Sequence, residues 1–327
     1  MCNGDVTERL LTPTRQLEMP HTGPPRPAVR RGVGGSAFGG LLLGLPWFLV
    51  SFAIVSQLAS YAGRGWATAI LAVWLLSGGG VFVRPVENAV ARLLLRVRPP
   101  TPDEQRWLDG PWSSVLHAAG AAPAEYSLWV QDSRGLNAYA SAGHIVIVTR
   151  AALRGLPAPQ LAGVLAHELG HHLKGEAWIG LLVYWYSLPG RIAMRVAMAL
   201  LSVLLRMLGR VRFSSAAGLV VGLVLVAVAF GILVFVAPVM LVLFLLTPLA
   251  AWFGRIDELR ADRMAAKLGF GPVLLDVLRG WARAGHDARP GSRLGSRPGS
   301  RWRDRLLASH PPLARRITAL ETQLTSR

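Results

Sequence analysis

His167-Glu168-Leu169-Gly170-His171 is the stretch from which the rest of this chain is read. It is an instance of H-E-x-x-H. It lies in residues 159–174, where Leu161, Val164, Leu165 and Leu169 recur at helical spacing and Gly175 supplies a stop. On a helix, His167 and His171 stand one turn apart on one face. Two imidazoles so placed can hold one metal ion, and Glu168 beside them can reach a water on that ion as a general base. The alternative is a surface turn with two solvated histidines. The apolar neighbours Val164, Leu165 and Ala166 argue instead for a buried helix, where bare imidazoles are costly. A zinc site of this kind needs a third protein ligand, to be sought downstream.

Composition sets the environment. The 327 residues are 52% hydrophobic and only 16% charged, with a mean hydropathy of +0.39. Soluble domains run at about 45–50% apolar and about 25% charged. The net charge is +17, carried almost wholly by arginine. Beside long apolar runs such a balance points to positive loops that orient a membrane protein, and nucleic-acid binding is not expected. Cys2 is the sole cysteine, which excludes a disulfide framework and a cysteine-based metal site. The first apolar run follows a long polar segment, so the N-terminus does not read as a signal peptide.

In chain order, residues 1–37 are a basic, Pro-rich tail without periodicity, read as disordered. Residues 38–83 hold two apolar runs, at 38–59 and 66–83, each near the ~20 residues that cross a bilayer. The link 60–65 carries only Arg64, whereas Arg26, Arg30 and Arg31 precede the pair and Arg84, Arg92, Arg96 and Arg98 follow it. The positive-inside rule then places both flanks in the cytoplasm. Residues 84–176 form the first part of a catalytic domain. It holds a basic helix at 87–97, a helix at 103–119 interrupted near Gly110-Pro111, and strands at 126–131 and 145–149. A short helix at 151–154 precedes the metal helix. Residues 177–252 read as a membrane-embedded helical pair. The first member carries Arg191 and Arg195, each worth roughly 2.5–3.5 kcal/mol at mid-membrane, so either these face a polar cavity or the segment bends into the interface. The second runs from 216 to 252 and continues as a polar helix at 255–267.

That continuation opens the last segment, 253–327, and holds Glu258 and Asp262, four residues apart on one face. Alone they read as a solvated amphipathic helix. Paired with the H-E-x-x-H helix, Glu258 completes a His2Glu set with a fourth position for water. Asp262 accepts a hydrogen bond from a ligand imidazole and fixes its tautomer. Residues 284–301 are a Gly/Ser/Arg/Pro-rich basic loop, and a final helix spans 313–324.

Four motifs now stand in order: Asn137-Ala138-Tyr139-Ala140 before the strand 145–149, the H-E-L-G-H helix, E-x-x-A-D from Glu258 to Asp262, and Ser309-His310-Pro311-Pro312. With them the chain resembles the HtpX-like membrane zinc metalloproteases, gluzincin relatives of the CAAX prenyl proteases, over roughly residues 38–320. The resemblance implies one Zn2+ per chain on His167, His171 and Glu258, with Glu168 as base and Asp262 behind a ligand. It implies that His310 and Arg316 approach the oxyanion; the adjacent Arg315 leaves that register open. It also implies endoproteolysis of unfolded, misfolded or damaged membrane proteins, on the cytoplasmic side of the cell membrane. The two arginines in the third apolar segment, the Gly/Ser/Arg loop and the long tail depart from the family's pattern.

The expected fold is therefore a mainly α membrane protein. About four membrane-embedded helices carry a cytoplasmic α+β zincin-like domain, in contact with the lipid bilayer. The sequence leaves the oligomeric state open. Substrate is expected to add as a strand along Asn137, Ala138, Tyr139 and Ala140. Three rivals stand beside this reading. A sensor metallopeptidase would need an external domain, and the link 60–65 is too short to be one. A CAAX-type processing protease would have more spans. A non-enzymatic scaffold does not explain why Glu168 and all three candidate ligands are intact.

Overall fold

The computed structural model describes residues 35–141, 143–173, 176–211, 213–284 and 311–326. The tail before residue 35, most of the loop at 284–301 and the Ser309-His310 pair lie outside the described residues. The chain divides into two compact units, one of Met1–Gly40, Gly80–Leu181 and Ala251–Arg327, the other of Leu41–Gly79 and Leu182–Ala250.

The second unit is built from apolar helices. They are α1 (Gly35–Ser60), α2 (Arg64–Gly80), α7 (Glu176–Leu208) and the first part of α8 (Ala216–Lys267). By length and composition α1, α7 and α8 can each cross a membrane, and α2 adds a fourth crossing only when taken together with α3 (Arg84–Leu95). At ~1.5 Å per residue, α2 alone falls short of a ~30 Å hydrocarbon core. Only 11% of each of the three long apolar windows is buried within the protein. Leu, Val and Phe side chains facing outward in that proportion require an apolar solvent. Inside this unit Phe48, Phe52, Trp74 and Tyr186 form a ring cluster. Gly44 lets α1 approach α7, since a Cβ there would sit 2.6 Å from Val183. Trp185 donates to Ser77 Oγ at 3.0 Å, and the Gly190 amide donates to Ser51 Oγ at 2.9 Å.

α7 decides a point that the sequence left open. It is one helix of 33 residues with Pro189 inside. Arg191 is half-buried, with its guanidinium over the rings of Trp47 and Tyr184 at 5.5 Å each. Cation–π contact offsets part of its desolvation. Arg195, one turn on, is exposed. α8 is a single helix of 52 residues that carries the chain without a break from its apolar half into the polar stretch holding Glu258 and Asp262.

The first unit contains a four-stranded sheet of order β1-β2-β4-β3, formed by Val97–Arg98, Ser127–Gln131, Ile145–Thr149 and Ala138–Ser141. β2 runs parallel to β4, and β3 pairs antiparallel with β4 on the other side. All five residues of β4 are buried. Val146 and Val148 enter the main core with α4 (Pro102–Ala119), α6 (Ala158–Leu173) and α9 (Gly271–Arg283). Ile145 and Ile147 pack on the other face against Ala91, Val97 and Trp129. A strand covered on both faces reads as an unbroken apolar run, which is why residues 145–148 show no alternation. Thr149 ends β4 and caps α5 (Arg150–Gly155), its hydroxyl accepting from the Ala152 amide.

One expectation needs correction, and one helix is new. α4 is not interrupted at Gly110-Pro111 but runs through it. Pro111 deprives the Trp107 carbonyl of its donor, yet Trp107 is exposed, while Leu108, Trp112, Val115 and Leu116 are buried and hold the helix on the core. α9 was not foreseen. It buries Val273, Leu274, Val277 and Leu278, and α10 (Leu313–Thr325) packs against it.

Candidate metal centre

α6 carries the first elements of the site. His167, Glu168 and His172 are buried and His171 is half-buried. The His167 and His171 rings stand edge to face at 5.1 Å, as residues one helical turn apart allow. Gly170 lies between them for a packing reason. A Cβ there would meet the Ala261 backbone and Met264 at 3.2 Å, so glycine permits α8 to close on α6. That approach brings Glu258 to the histidines. One ligand atom from each of His167, His171 and Glu258 falls within 4.8 Å of the others, and His167 Nε2 is 3.5 Å from Glu258 Oε2.

Behind this trio stands Asp262, one turn further along α8. Its Oδ1 is 2.9 Å from His167 Nδ1, so Nδ1–H donates to the carboxylate and Nε2 faces Glu258. Arg316 of α10 donates through Nε and Nη2 to both oxygens of Asp262, at 2.8 and 2.6 Å. Its Nη1 lies 3.1 Å from Glu258 Oε2. Arg316 is buried, and Arg315 beside it is exposed; of the two, Arg316 faces the site. It grips the carboxylates, a role the expected approach to an oxyanion did not anticipate. His310 lies outside the described residues.

The donor set suits a metal. Burial alone would push His167 down, but its hydrogen bonds to Asp262 and Glu258 hold the imidazole up at about 10. A ring in that state carries a proton on the nitrogen that faces Glu258. A divalent cation answers the same pull of two carboxylates, and two imidazoles with one carboxylate are a familiar zinc set. Burial also raises Glu168 above the ordinary carboxyl range, against the lowering by His167, His171 and the Ala140 amide. Arg316 is held charged: burial opposes its charge, and Asp262 more than compensates.

Glu168 meets the sheet as well. The Ala140 amide donates to its Oε2 at 2.8 Å. The Thr149 amide donates to the Asn137 carbonyl at 3.0 Å, so Asn137, and with it Tyr139, spends its backbone groups on β4. Ala138 and Ala140 then turn theirs to the outer side of β3, an open edge among the described strands. Of the four residues expected to meet substrate, two therefore face the edge. Asn137 is exposed and Tyr139 packs on the second core.

Two partnerships escaped the sequence reading. His172 Nε2 donates to the Ile145 carbonyl at 2.9 Å and ties α6 to β4. Glu87 on α3 is bonded to His144 and to the backbone of the β3–β4 turn. Only the position of His172, next to His171 but about 100° round the helix, hinted at the first.

Comparison with known proteins supplies the family. The model for "Peptidase family M48" matches residues 102–324. Protease HtpX of Mannheimia succiniciproducens is 29% identical over 238 residues, covering 69% of this chain and 76% of that protein. Protease HtpX of Xanthomonas euvesicatoria is 30% identical over 241 residues, covering 70% and 75%. Among solved structures, S. mikatae Ste24p shares 16% identity at a TM-score of 0.42, over 85% of this chain and 62% of that one, less than two thirds of its length. The chain is a multi-pass membrane metallopeptidase, HtpX-like, and belongs to peptidase family M48.

Proposed function

We propose that this chain is a zinc-dependent endopeptidase that cuts misfolded or damaged membrane proteins on the cytoplasmic face of the cell membrane. The observation that carries the reading is the meeting of three groups. The His167, His171 and Glu258 donor atoms converge within 4.8 Å, the buried Glu168 lies beside them, and Glu168 is hydrogen-bonded to the edge of β3. Arginine on both outer flanks of the first two spans supports the cytoplasmic orientation.

His167, His171 and Glu258 would hold the ion, and Asp262 keeps His167 in the tautomer that offers Nε2. When bound, zinc supplies a Lewis acid that lowers the pKa of water to about 7 and polarises a carbonyl. An extended segment of substrate adds along the edge of β3, where Ala138 presents its backbone groups and Ala140 its carbonyl, the Ala140 amide being given to Glu168. Glu168 takes the proton of the attacking water and returns it to the leaving amine nitrogen. Arg316 holds Asp262 and Glu258 in place from behind the donor set. An unfolded segment offers unpaired backbone along its whole length, whereas a folded protein offers it only at loops and sheet edges, so the edge favours unfolded segments.

The test is Glu168→Gln in purified protein. It is expected to retain about one zinc by elemental analysis and to lose cleavage of unfolded casein by 100-fold or more, the low end for loss of a general base being ~10². Wild-type cleavage by a zinc-loaded Glu168→Gln protein would overturn the mechanism. Absence of zinc from an active wild type would overturn the cofactor.

A further inference from the structure

Glu87 lies far from the metal ligands in sequence, and nothing in the proposed chemistry uses it. It is 1% exposed, on the first turn of α3. A carboxylate so buried is costly unless its oxygens are answered. Here one short turn answers both. Oε1 accepts from the Gly143 amide at 2.5 Å and from the His144 amide at 3.1 Å. Oε2 lies 2.5 Å from His144 Nδ1. All the donors come from the turn joining β3 to β4.

That turn is where the sheet meets the site. On one side, Ser141 pairs with Ile145 and is followed back along β3 by Ala140, whose amide goes to Glu168. On the other, the Ile145 carbonyl receives His172 from the H-E-L-G-H helix. Among the described strands β3 has a single neighbour, β4, so beyond that pairing and the Ala140–Glu168 bond its position depends on how the turn is held. A turn containing a glycine is otherwise free to shift, and a shift there carries Ala138 and Ala140 with it. Three charge-assisted hydrogen bonds on one carboxylate are a strong local restraint.

We propose that Glu87 is a positioning residue for substrate: by clamping Gly143 and His144 it holds the open edge of β3 at the height at which a bound peptide passes the metal centre. The proposal rests on the reading that this edge receives substrate. It makes Glu87 act on peptide binding, with the ion and the proton transfer left to other residues.

The experiment measures KM and kcat separately on an unfolded fluorogenic casein with zinc-loaded protein in detergent. Glu87→Gln keeps the shape but weakens all three bonds. It is expected to raise KM about 10-fold, the scale of losing a supporting hydrogen-bond partner, with kcat within twofold and zinc content unchanged. His144→Gln is expected to shift KM in the same direction. The double variant is expected to do no more than Glu87→Gln alone, because the two share one interaction. If Glu87→Gln does not yield folded protein, the KM shift of His144→Gln decides. Unchanged KM in a folded Glu87→Gln protein overturns the proposal, as does a fall in kcat accompanied by loss of zinc. Ala140→Pro in the same assay separates the two ideas. If it cleaves normally, the edge is not the substrate site. If it fails while Glu87→Gln behaves as wild type, only the role of Glu87 is lost.

Discussion

The backbone amide of Ala140 and the carboxylate of Glu168 share a 2.8 Å hydrogen bond, so the outer edge of β3 and the candidate base are held in one register. If the edge receives substrate, as proposed, a peptide adding to it arrives with its carbonyls at a fixed offset from Glu168. The bond occupies one oxygen of Glu168.

Ala140→Pro deletes this N–H and stiffens the edge. We expect a roughly 10–100-fold loss of kcat/KM, the range seen when an outer partner of a metal-site residue is removed, with zinc content near that of wild type. Unaltered kinetics in folded, zinc-loaded Ala140→Pro protein would remove this bond from the mechanism.

Arg316 answers two carboxylates at once. Replacing it with Met leaves Asp262 and Glu258 facing each other without the guanidinium, and breaking a buried pair in this way costs about 3–5 kcal/mol. The metal-free Arg316→Met protein is expected to melt well below wild type. Arg316→Lys should fall between them, since an ammonium cannot reproduce the two-pronged bond to Asp262. Thermal unfolding of the metal-free proteins in detergent provides the comparison. Coincident melting of wild type and Arg316→Met would show that the pair contributes nothing to stability.

His172 gives a pH signature. Burial holds its imidazole down at about 4, against an ordinary 6.5. The unfolded chain therefore takes up a proton near pH 6.5 and the folded chain not until about pH 4. Its stabilising effect is complete above the first value and is lost as pH falls toward the second. Substitution by Leu removes the effect at every pH. The melting gap between wild type and His172→Leu, both metal-free, should be widest above pH 7 and should shrink steadily on acidification. A gap independent of pH would mean that His172 is not kept neutral by the fold.

Orientation can be read by labelling. With Cys2 replaced by Ser, single cysteines at Arg64 and at Arg134 are expected to react with an impermeant maleimide from opposite sides of the membrane. Reaction of both from the same side would reverse the reading of the first two spans.

The site was more legible than the fold around it. His167, Glu168 and His171 announce themselves because one helical turn forces them together. Glu258 and Asp262 follow because a metal needs a further carboxylate and theirs repeat at four residues. Residues 145–149 are plainly a strand by composition. Long-range partnerships leave no such trace. Nothing near Glu87 distinguishes a buried acid from a solvated one, since its partners lie more than fifty residues away. Pro111 argued for a break that core packing overrides. α9 carries Val273, Val277 and Trp281 at helical spacing but no chemical motif that marks it out. Arg191 posed a question that only its neighbours could answer: the ring of Tyr184 lies two turns back on α7 itself, but that of Trp47 comes from α1, whose approach the sequence does not encode locally.

α8 has one further consequence, for how the protein is made. The histidines of α6 leave the ribosome first, and Glu258 follows only after all of α7 and the apolar part of α8 have been synthesised. A nascent chain thus carries two imidazoles without their carboxylate until the last membrane segment has emerged, and it is α10, later still, that delivers Arg316. Because the third candidate ligand lies at the far end of the long apolar helix, the donor set can be completed only after that helix has been made.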